Sequence, residues 1–128
     1  MNDHADAAEL LAIARSTLLN DILPGLPPEQ RYRALMIANA MAIAAREHVQ
    51  GEVFGRAELT RLGELLKQSA VATTGAALNT ALADCNRSLC SAIRAGRFDG
   101  SEGAALLDHL KKTAVEKLTI ANPKALNY

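Results

Sequence analysis

Apolar residues recur along the chain at every third or fourth position, which is the spacing of one face of an α-helix. No stretch alternates apolar and polar residues with the period of two that marks a strand. The pattern predicts five helices, over about 6–23, 28–50, 56–69, 74–96 and 99–122. Because the connections are short, the sequence predicts an all-α fold, an antiparallel up-and-down helical bundle of four main helices plus one shorter accessory helix, the third.

Particular residues mark the helix ends. Asp6 and Glu9 form a capping-box pattern at the start of the first helix. Pro28 suits the first turn of the second helix, where its missing N–H costs nothing. Gly51 is predicted to end that helix in the left-handed conformation, and Gly96 to end the fourth.

The second predicted helix carries no charge from Ala34 to Ala45, and its apolar residues point in every direction. Such a helix is packed on several sides, so we expect it at the centre of the bundle. One amide, Asn39, stands in the middle of this stretch, on the same stripe as Arg46. An unsatisfied buried polar group costs about 1 to 3 kcal/mol, so a buried Asn39 must have a partner.

Two interpretations of Asn39 stay open. In the first, Asn39 and Asn86 of the fourth helix bond to each other or to helix ends and fix the register of the bundle. In the second, Asn39, Arg46 and Asn86 open into a groove that receives a partner protein's loop or an anionic ligand, with Arg46 as a bidentate donor. Three arginines near the end of the fourth helix are either solvated or meet a phosphate or an acidic surface: Arg87, Arg94 and Arg97.

Composition and charge narrow the class of protein. At 128 residues the chain is most simply one domain, residues 1–128. Fourteen Lys and Arg balance fourteen Asp and Glu, which argues against a nucleic-acid partner. The uncharged stretch would span only about 18 Å as a helix, too short to cross a membrane. The N-terminus lacks the pattern of a signal peptide, and Cys85 and Cys90 are predicted as buried thiols, so we expect a cytoplasmic protein.

The sequence lacks the patterns that catalysis or cofactor binding requires. There is no glycine-rich phosphate loop, and no serine or cysteine stands in a nucleophile motif. His4, His48 and His109 lie in separate elements without metal-ligand spacing and are predicted at the surface. The sequence therefore predicts a protein that is not an enzyme and has no cofactor and no metal.

Several segments carry a resemblance to a known family. These are "AELL", "IANAMAIAAREH", "LNTALADCNRSLCSAIRAGRFDG" and "LLDHLKKTAVEKLTIANPK". Together they resemble a family of small helical bacterial proteins of unknown function. Its members are similar to the accessory small subunit of aminoglycoside-phosphotransferase-like kinases that act on hydroxyacyl-CoA thioesters.

The resemblance implies a set of site residues. The family's amide and Arg-Glu pair on the second helix fall on Asn39, Arg46 and Glu47. Its I-R-A-G turn falls on residues 93–96, which include Arg94, and its Asn-Pro near the end falls on residues 122–123. The chain departs from the pattern on both sides of that Asn-Pro, with alanine where relatives often have an acidic residue and lysine where they have arginine. The resemblance brings no catalytic residue.

Two functional hypotheses follow. In the first, the protein is a non-catalytic accessory subunit of a kinase that acts on hydroxyacyl-CoA in acid catabolism, and ATP and Mg²⁺ are bound by the large subunit. In the second, it is a self-associating bundle, a homo-oligomer, that binds an acyl or acyl-CoA ligand in its core between the second and fourth helices. An apolar cavity beside Asn39 and Arg46 would favour the second hypothesis, and a large exposed apolar patch would favour the first.

Overall fold

The computed structural model describes residues 4–69, 71 and 73–127; most of these residues are helical and none of them lies in a strand. They form four α-helices: α1 (Ala7–Thr17), α2 (Pro28–Leu66), α3 (Gly75–Arg94) and α4 (Gly103–Ala121). A π-helical turn and a 3₁₀ turn follow α1, at Leu18–Ile22 and Leu23–Gly25, and a second 3₁₀ turn covers Pro123–Asn127. The all-α prediction is confirmed.

Local signals at two helix ends act as predicted. The Asp6 carboxylate accepts a hydrogen bond from the Glu9 backbone N–H at 2.9 Å and caps α1. Gly96, two residues after the end of α3, has φ of +83°, the left-handed conformation that only glycine adopts at little cost. The last helix begins at Gly103, a few residues later than predicted.

The predicted break at Gly51 is wrong, because α2 continues through it to Leu66. The predicted accessory helix is therefore the last part of α2. A glycine inside a helix costs only about 1 kcal/mol relative to alanine, which tertiary packing outweighs. Gly55, one turn later, lies against Leu78 of α3, and a Cβ built there would be 3.1 Å from the Leu78 Cδ2 atom. Although α2 has 39 residues, no helix within the described ranges has the apolar length that a membrane crossing needs.

The chain divides into two compact units, residues 1–51 and residues 52–128. In the first unit, Ala34 and Ala38 of α2 are buried. The second unit contains the last part of α2 with α3 and α4, and its core consists of Leu62, Leu66, Leu89 and Phe98. The prediction of a single domain remains a prediction.

The two cysteines lie on different sides of α3. Cys85 is half-buried and packs against the core of the second unit, whereas Cys90 is exposed. The predicted burial of Cys90 is wrong, because five residues turn a helix by about 140° and carry this thiol to the outer side.

In the second unit, α3 runs in the same direction as the last part of α2. Residue numbers increase together from one contact to the next along the two segments. The contacts are Glu52 with Gly75, Gly55 with Leu78, Glu58 with Asn86, and Leu65 with Arg97 just beyond α3. Along α4 the order is reversed, from Lys67 with Glu102 to Arg61 with Glu116, so α4 runs antiparallel to the last part of α2. The predicted antiparallel order is thus wrong for the α2–α3 pair, and for α1 and α2 it remains a prediction.

The connection between α2 and α3 is long enough to permit this direction. Residues 52–66 rise by about 21 Å as a helix. Residues 67–74 can reach about 26 Å when extended, enough to return to the start of that segment. A connection of this length does not require its helices to be antiparallel.

Candidate functional site

The predicted site residues are divided between the two units. Asn39, Arg46 and Glu47 belong to the first unit, and Asn86 and Arg94 belong to the second. The groove predicted from Asn39, Arg46 and Asn86 draws on both units and remains a prediction.

Asn39 is exposed, so the expectation of a buried amide with an obligatory partner is wrong. The large apolar residues of the same side of α2 are exposed as well: Tyr32 by 69%, Leu35 by 50% and Met36 by 50%. The uncharged stretch was interpreted as packed on all sides, but Ala34 and Ala38 are the residues of this part of the helix that are buried. The other residues of this stretch are exposed or half-buried.

These exposed residues form a stripe along α2. Successive residues turn by about 100°, so Asn39 lies within about 60° of Tyr32, Leu35 and Met36 around the helix. The stripe continues toward the C-terminus with half-buried residues. We call this surface the α2 stripe: Tyr32, Leu35, Met36, Asn39, Ala42, Ile43 and Arg46. Glu47 is exposed at its edge, and its carboxylate lies over Gly51 one turn later.

Asn86 lies at the edge of the core of the second unit. Its amide nitrogen donates to the Leu82 carbonyl at 3.0 Å and to the Glu58 carboxylate at 3.4 Å. Glu58 is buried, so Asn86 provides a donor to a carboxylate that has little access to water. These contacts give Asn86 a structural role.

The three arginines near the end of α3 have separate environments. Arg87 forms an exposed ion pair with Asp84 at 3.1 Å. Arg97 donates to the Leu65 carbonyl at 2.9 Å, and its guanidinium lies 5.5 Å from the centre of the Phe98 ring. Arg94 is exposed on the last turn of α3. Arg97 therefore fastens the turn after α3 to the end of α2.

A polar cluster that the sequence did not reveal joins α2 to α4. Arg61 donates through Nη1 and Nη2 to the two carboxylate oxygens of Glu116, at 2.7 and 3.0 Å. Its Nη2 also donates to the Thr113 hydroxyl at 3.2 Å, and its Nε donates to His109 Nδ1 at 3.3 Å. We call these four residues the Arg61 cluster. The hydrogen bond to Glu116 raises the pKa of Arg61 above its usual value, although burial opposes it.

His109 is only 3% exposed, so its predicted surface position is wrong. Burial, and then the charge of Arg61, lower the pKa of His109 below its usual value. Because Nδ1 accepts the hydrogen bond from Arg61, the neutral imidazole carries its proton on Nε2. The sequence pattern that could have indicated this cluster is the spacing i, i+4, i+7 of His109, Thr113 and Glu116, which places the three side chains on one face of α4.

The Arg61 cluster is suited to holding helices together. Four N–H groups of the guanidinium are used within the cluster, and His109 has almost no contact with solvent. Within the part of the chain that the structure describes, no group of three or more His, Cys, Asp or Glu side chains is arranged to hold a metal ion. We therefore assign the cluster a structural role.

The outer side of α4 carries exposed apolar residues beside lysines. Leu107 is 53% exposed, Leu110 46% and Val115 50%. A surface depression beside them is lined by Lys111, Lys112, Val115 and Glu116. We call this surface the α4 outer face: Leu107, Leu110, Lys111, Val115 and Lys117. In the same unit, α3 turns mostly polar or small residues to solvent, as an ordinary surface helix does.

Comparison with known proteins identifies a family and no activity. The model of a family described as a domain of unknown function, DUF6285, matches residues 24–125. No curated protein and no solved structure matches the chain. The family's description names neither a kinase nor an acyl-CoA enzyme.

Proposed function

We propose that this chain, which belongs to the DUF6285 family, is a non-catalytic binding subunit that docks a partner protein on the α4 outer face. The observation that carries the proposal is the half-exposure of Leu107, Leu110 and Val115 on one helix. Removing apolar surface from water is worth about 25 cal/mol per Å², so a partner that covers these side chains gains free energy. Clustered exposed apolar residues mark interaction sites more often than isolated ones do.

Charge on the α4 outer face specifies the kind of partner. Lys111 and Lys117 are exposed and lie on either side of Leu107 and Leu110 around the helix. A partner surface with an apolar centre and acidic residues at its edges would satisfy both features. Such complementarity contributes mainly to the rate and specificity of association.

The partner we propose is the aminoglycoside-phosphotransferase-like kinase that the sequence resemblance implies. In this proposal the kinase binds ATP, Mg²⁺ and the hydroxyacyl-CoA and performs the phosphoryl transfer. The present chain would raise the kinase rate only by binding the competent conformation more tightly than the others. It needs no reactive group of its own for that role.

The alternative, an acyl or acyl-CoA ligand in the core, has less support. One surface depression is lined by Lys111, Lys112, Val115 and Glu116. Another lies at the end of α2 and just beyond it, and is lined by Thr60, Gly63, Glu64, Lys67 and Gln68. Asn39 and Arg46 line neither of them. The exposed apolar side chains of the α4 outer face instead favour a protein partner, since an exposed apolar patch is the feature expected of a surface that a partner covers.

Reconstitution with a candidate kinase tests the proposal. The purified chain and the kinase are mixed, run on a sizing column with light scattering, and assayed for phosphorylation of a hydroxyacyl-CoA. We expect a complex and a faster kinase. The variants Leu107→Glu and Leu110→Glu should weaken the complex at least about tenfold, because a charge would be buried without a partner.

Ser88→Glu is the matched control, since it adds the same charge to an exposed position of α3 in the same unit. It should leave the complex unchanged. If the kinase works at full rate alone and no complex forms, the proposed function is wrong. If a complex forms but tolerates both leucine variants, the assigned surface is wrong.

A further inference from the structure

α4 is apolar on the side that its own chain leaves open. Its inner side carries three residues of the Arg61 cluster, His109, Thr113 and Glu116, which join it to the last part of α2. Leu107 and Leu110 lie on the outer side and are about half exposed. A surface helix normally buries its apolar side and turns its polar side to water. The packing within this chain therefore does not account for the apolar outer side of α4.

Exposed residues follow one another along this outer side at the intervals of a helix–helix contact. Intervals of three, four, three and four positions separate five exposed residues, which we call the α4 seam: Leu107, Leu110, Ala114, Lys117 and Ala121. All of them lie within about 60° of Ala114 around the helix, and the row is about 21 Å long. The small side chain at the middle of the row leaves room for a second helix, since packed helix axes lie about 8–10 Å apart depending on the side chains between them.

We propose that an amphipathic α-helix of the partner protein lies along the α4 seam, with acidic residues on both edges of its apolar stripe. The inference rests on the proposed function and deepens it by naming the element that docks on the α4 outer face. Such a helix would place apolar side chains, recurring at every third or fourth position, against the seam. Helices that bind in this way use anchors at positions i, i+3, i+4 and i+7.

The backbone of α4 favours a helix over an extended segment as the occupant. An added strand binds through free N–H and C=O groups at the edge of a sheet. Inside an α-helix these groups are paired with each other, so α4 offers an extended segment side chains alone. A second helix instead matches the spacing of the seam along its whole length.

Two lysines determine the charge of the partner helix. Lys111 and Lys117 are exposed and lie about 60° to either side of Ala114. Residues at the edges of a docked helix would pass close to both lysines, and charges at such positions select the partner in helix pairs. Acidic residues there would form ion pairs, whereas basic residues would meet like charges. A second copy of α4 would bring lysines to these edges again, so it fits the seam less well than an acidic helix does.

A synthetic peptide tests the inference with the purified full chain and without a kinase. The probe has about 21 residues, with leucine at the a and d positions of three heptads, glutamate at e and g, and alanine elsewhere. The repulsion between its glutamates should keep it from pairing with itself. Fluorescence anisotropy should show saturable binding to the wild-type chain. A peptide with lysine in place of glutamate, and one with a proline in the middle, should each bind at least about tenfold more weakly.

Substitutions on α4 locate the contact. Ala114→Glu should raise the dissociation constant of the glutamate peptide at least about tenfold, because it places a carboxylate in the middle of the seam. Ala105→Glu is the matched control, since Ala105 is an exposed alanine about 180° away around the same helix. The double variant Lys111→Glu, Lys117→Glu should prefer the lysine peptide to the glutamate peptide. Circular dichroism should show that all of these variants keep the helical content of the wild type.

Several results would overturn the inference. They are no binding of the glutamate peptide, equal binding of the lysine or proline peptide, and binding that Ala114→Glu leaves unchanged. Light scattering of the chain alone gives a further one. A wild-type dimer that Ala114→Glu converts to a monomer would assign the seam to a second copy instead.

The peptide and the kinase reconstitution fail separately. If the peptide binds as expected but the kinase forms no complex, the kinase is the wrong partner and the acidic helix stands. If a kinase complex depends on Leu107 but the peptide does not bind, the proposed function stands and the helical occupant is wrong.

Discussion

Arg61 of α2 forms a bidentate ion pair with Glu116 of α4. Its two terminal nitrogens donate hydrogen bonds of 2.7 and 3.0 Å to the two carboxylate oxygens. Both side chains are mostly shielded from water, with exposures of 17% and 18%. Bidentate geometry and partial burial make this pair stronger than an ordinary surface ion pair. It is the main polar tie between these two helices in the second unit.

Removing the Glu116 charge should destabilise the protein. We expect Glu116→Gln to lower the free energy of unfolding by about 2 kcal/mol, less than the 3–5 kcal/mol for a fully buried pair because some solvent reaches this one. Urea denaturation followed by circular dichroism measures the change. Asp84→Asn breaks the exposed pair with Arg87 and should cost less than about 0.5 kcal/mol. Equal losses in the two variants would contradict the role of the Arg61 cluster.

His109 should make stability depend on pH in the acid range. Its pKa is lowered in the folded state by burial and by Arg61, so the unfolded chain binds a proton more readily. This contribution to stability is fully present above the unfolded pKa of about 6.5 and is lost as the pH falls below that value. The slope it adds is at most about 1.4 kcal/mol per pH unit.

Unfolding curves between pH 7.5 and pH 5 measure that dependence. His109→Gln removes the titrating group while keeping an acceptor for Arg61, so the slope between those values should flatten. His48→Gln, at an exposed histidine, is the control variant. An unchanged slope in His109→Gln would show that another group is responsible.

Replacing two glycines of α2 with alanine should change the stability of the protein in opposite directions. Gly51→Ala meets the flexible Glu47 side chain, which can move, so the gain in helix propensity should stabilise the protein by up to about 1 kcal/mol. Gly55→Ala meets the buried Leu78 at 3.1 Å, and displacing a packed leucine should reverse the sign and cost about 1 kcal/mol net. Thermal melts of the two variants, compared with the wild type, check both signs. A stabilising Gly55→Ala would mean that α2 and α3 approach less closely.

Features set by local sequence were predictable. The Asp6 cap and the helix end at Gly96 depend on residues within one turn, and both are confirmed. The helical character of the chain follows from its periodicity in the same way. The break predicted at Gly51 is wrong because a glycine after a helical pattern ends a helix in many proteins but is tolerated within a helix where packing is sufficient.

Features that depend on distant residues were not predictable. Arg61 and Glu116 are 55 positions apart, and no spacing rule connects them. Asn39 was expected to be buried because sequence pattern alone cannot distinguish a helix packed within one chain from a helix with an apolar surface left open. The length of the connection between α2 and α3 was known, but length alone does not select a direction.

The shielding of Arg61 and Glu116 has a practical consequence for anyone purifying a complex of this protein. Salt screens charges that stand in water, such as Lys111 and Lys117, much more than charges shielded by packing. High salt would therefore weaken the proposed lysine contacts with an acidic partner, while the Arg61–Glu116 pair keeps α4 in place. A complex held mainly by Leu107, Leu110 and Val115 would then assemble more slowly in a high-salt buffer but would not be washed apart by it.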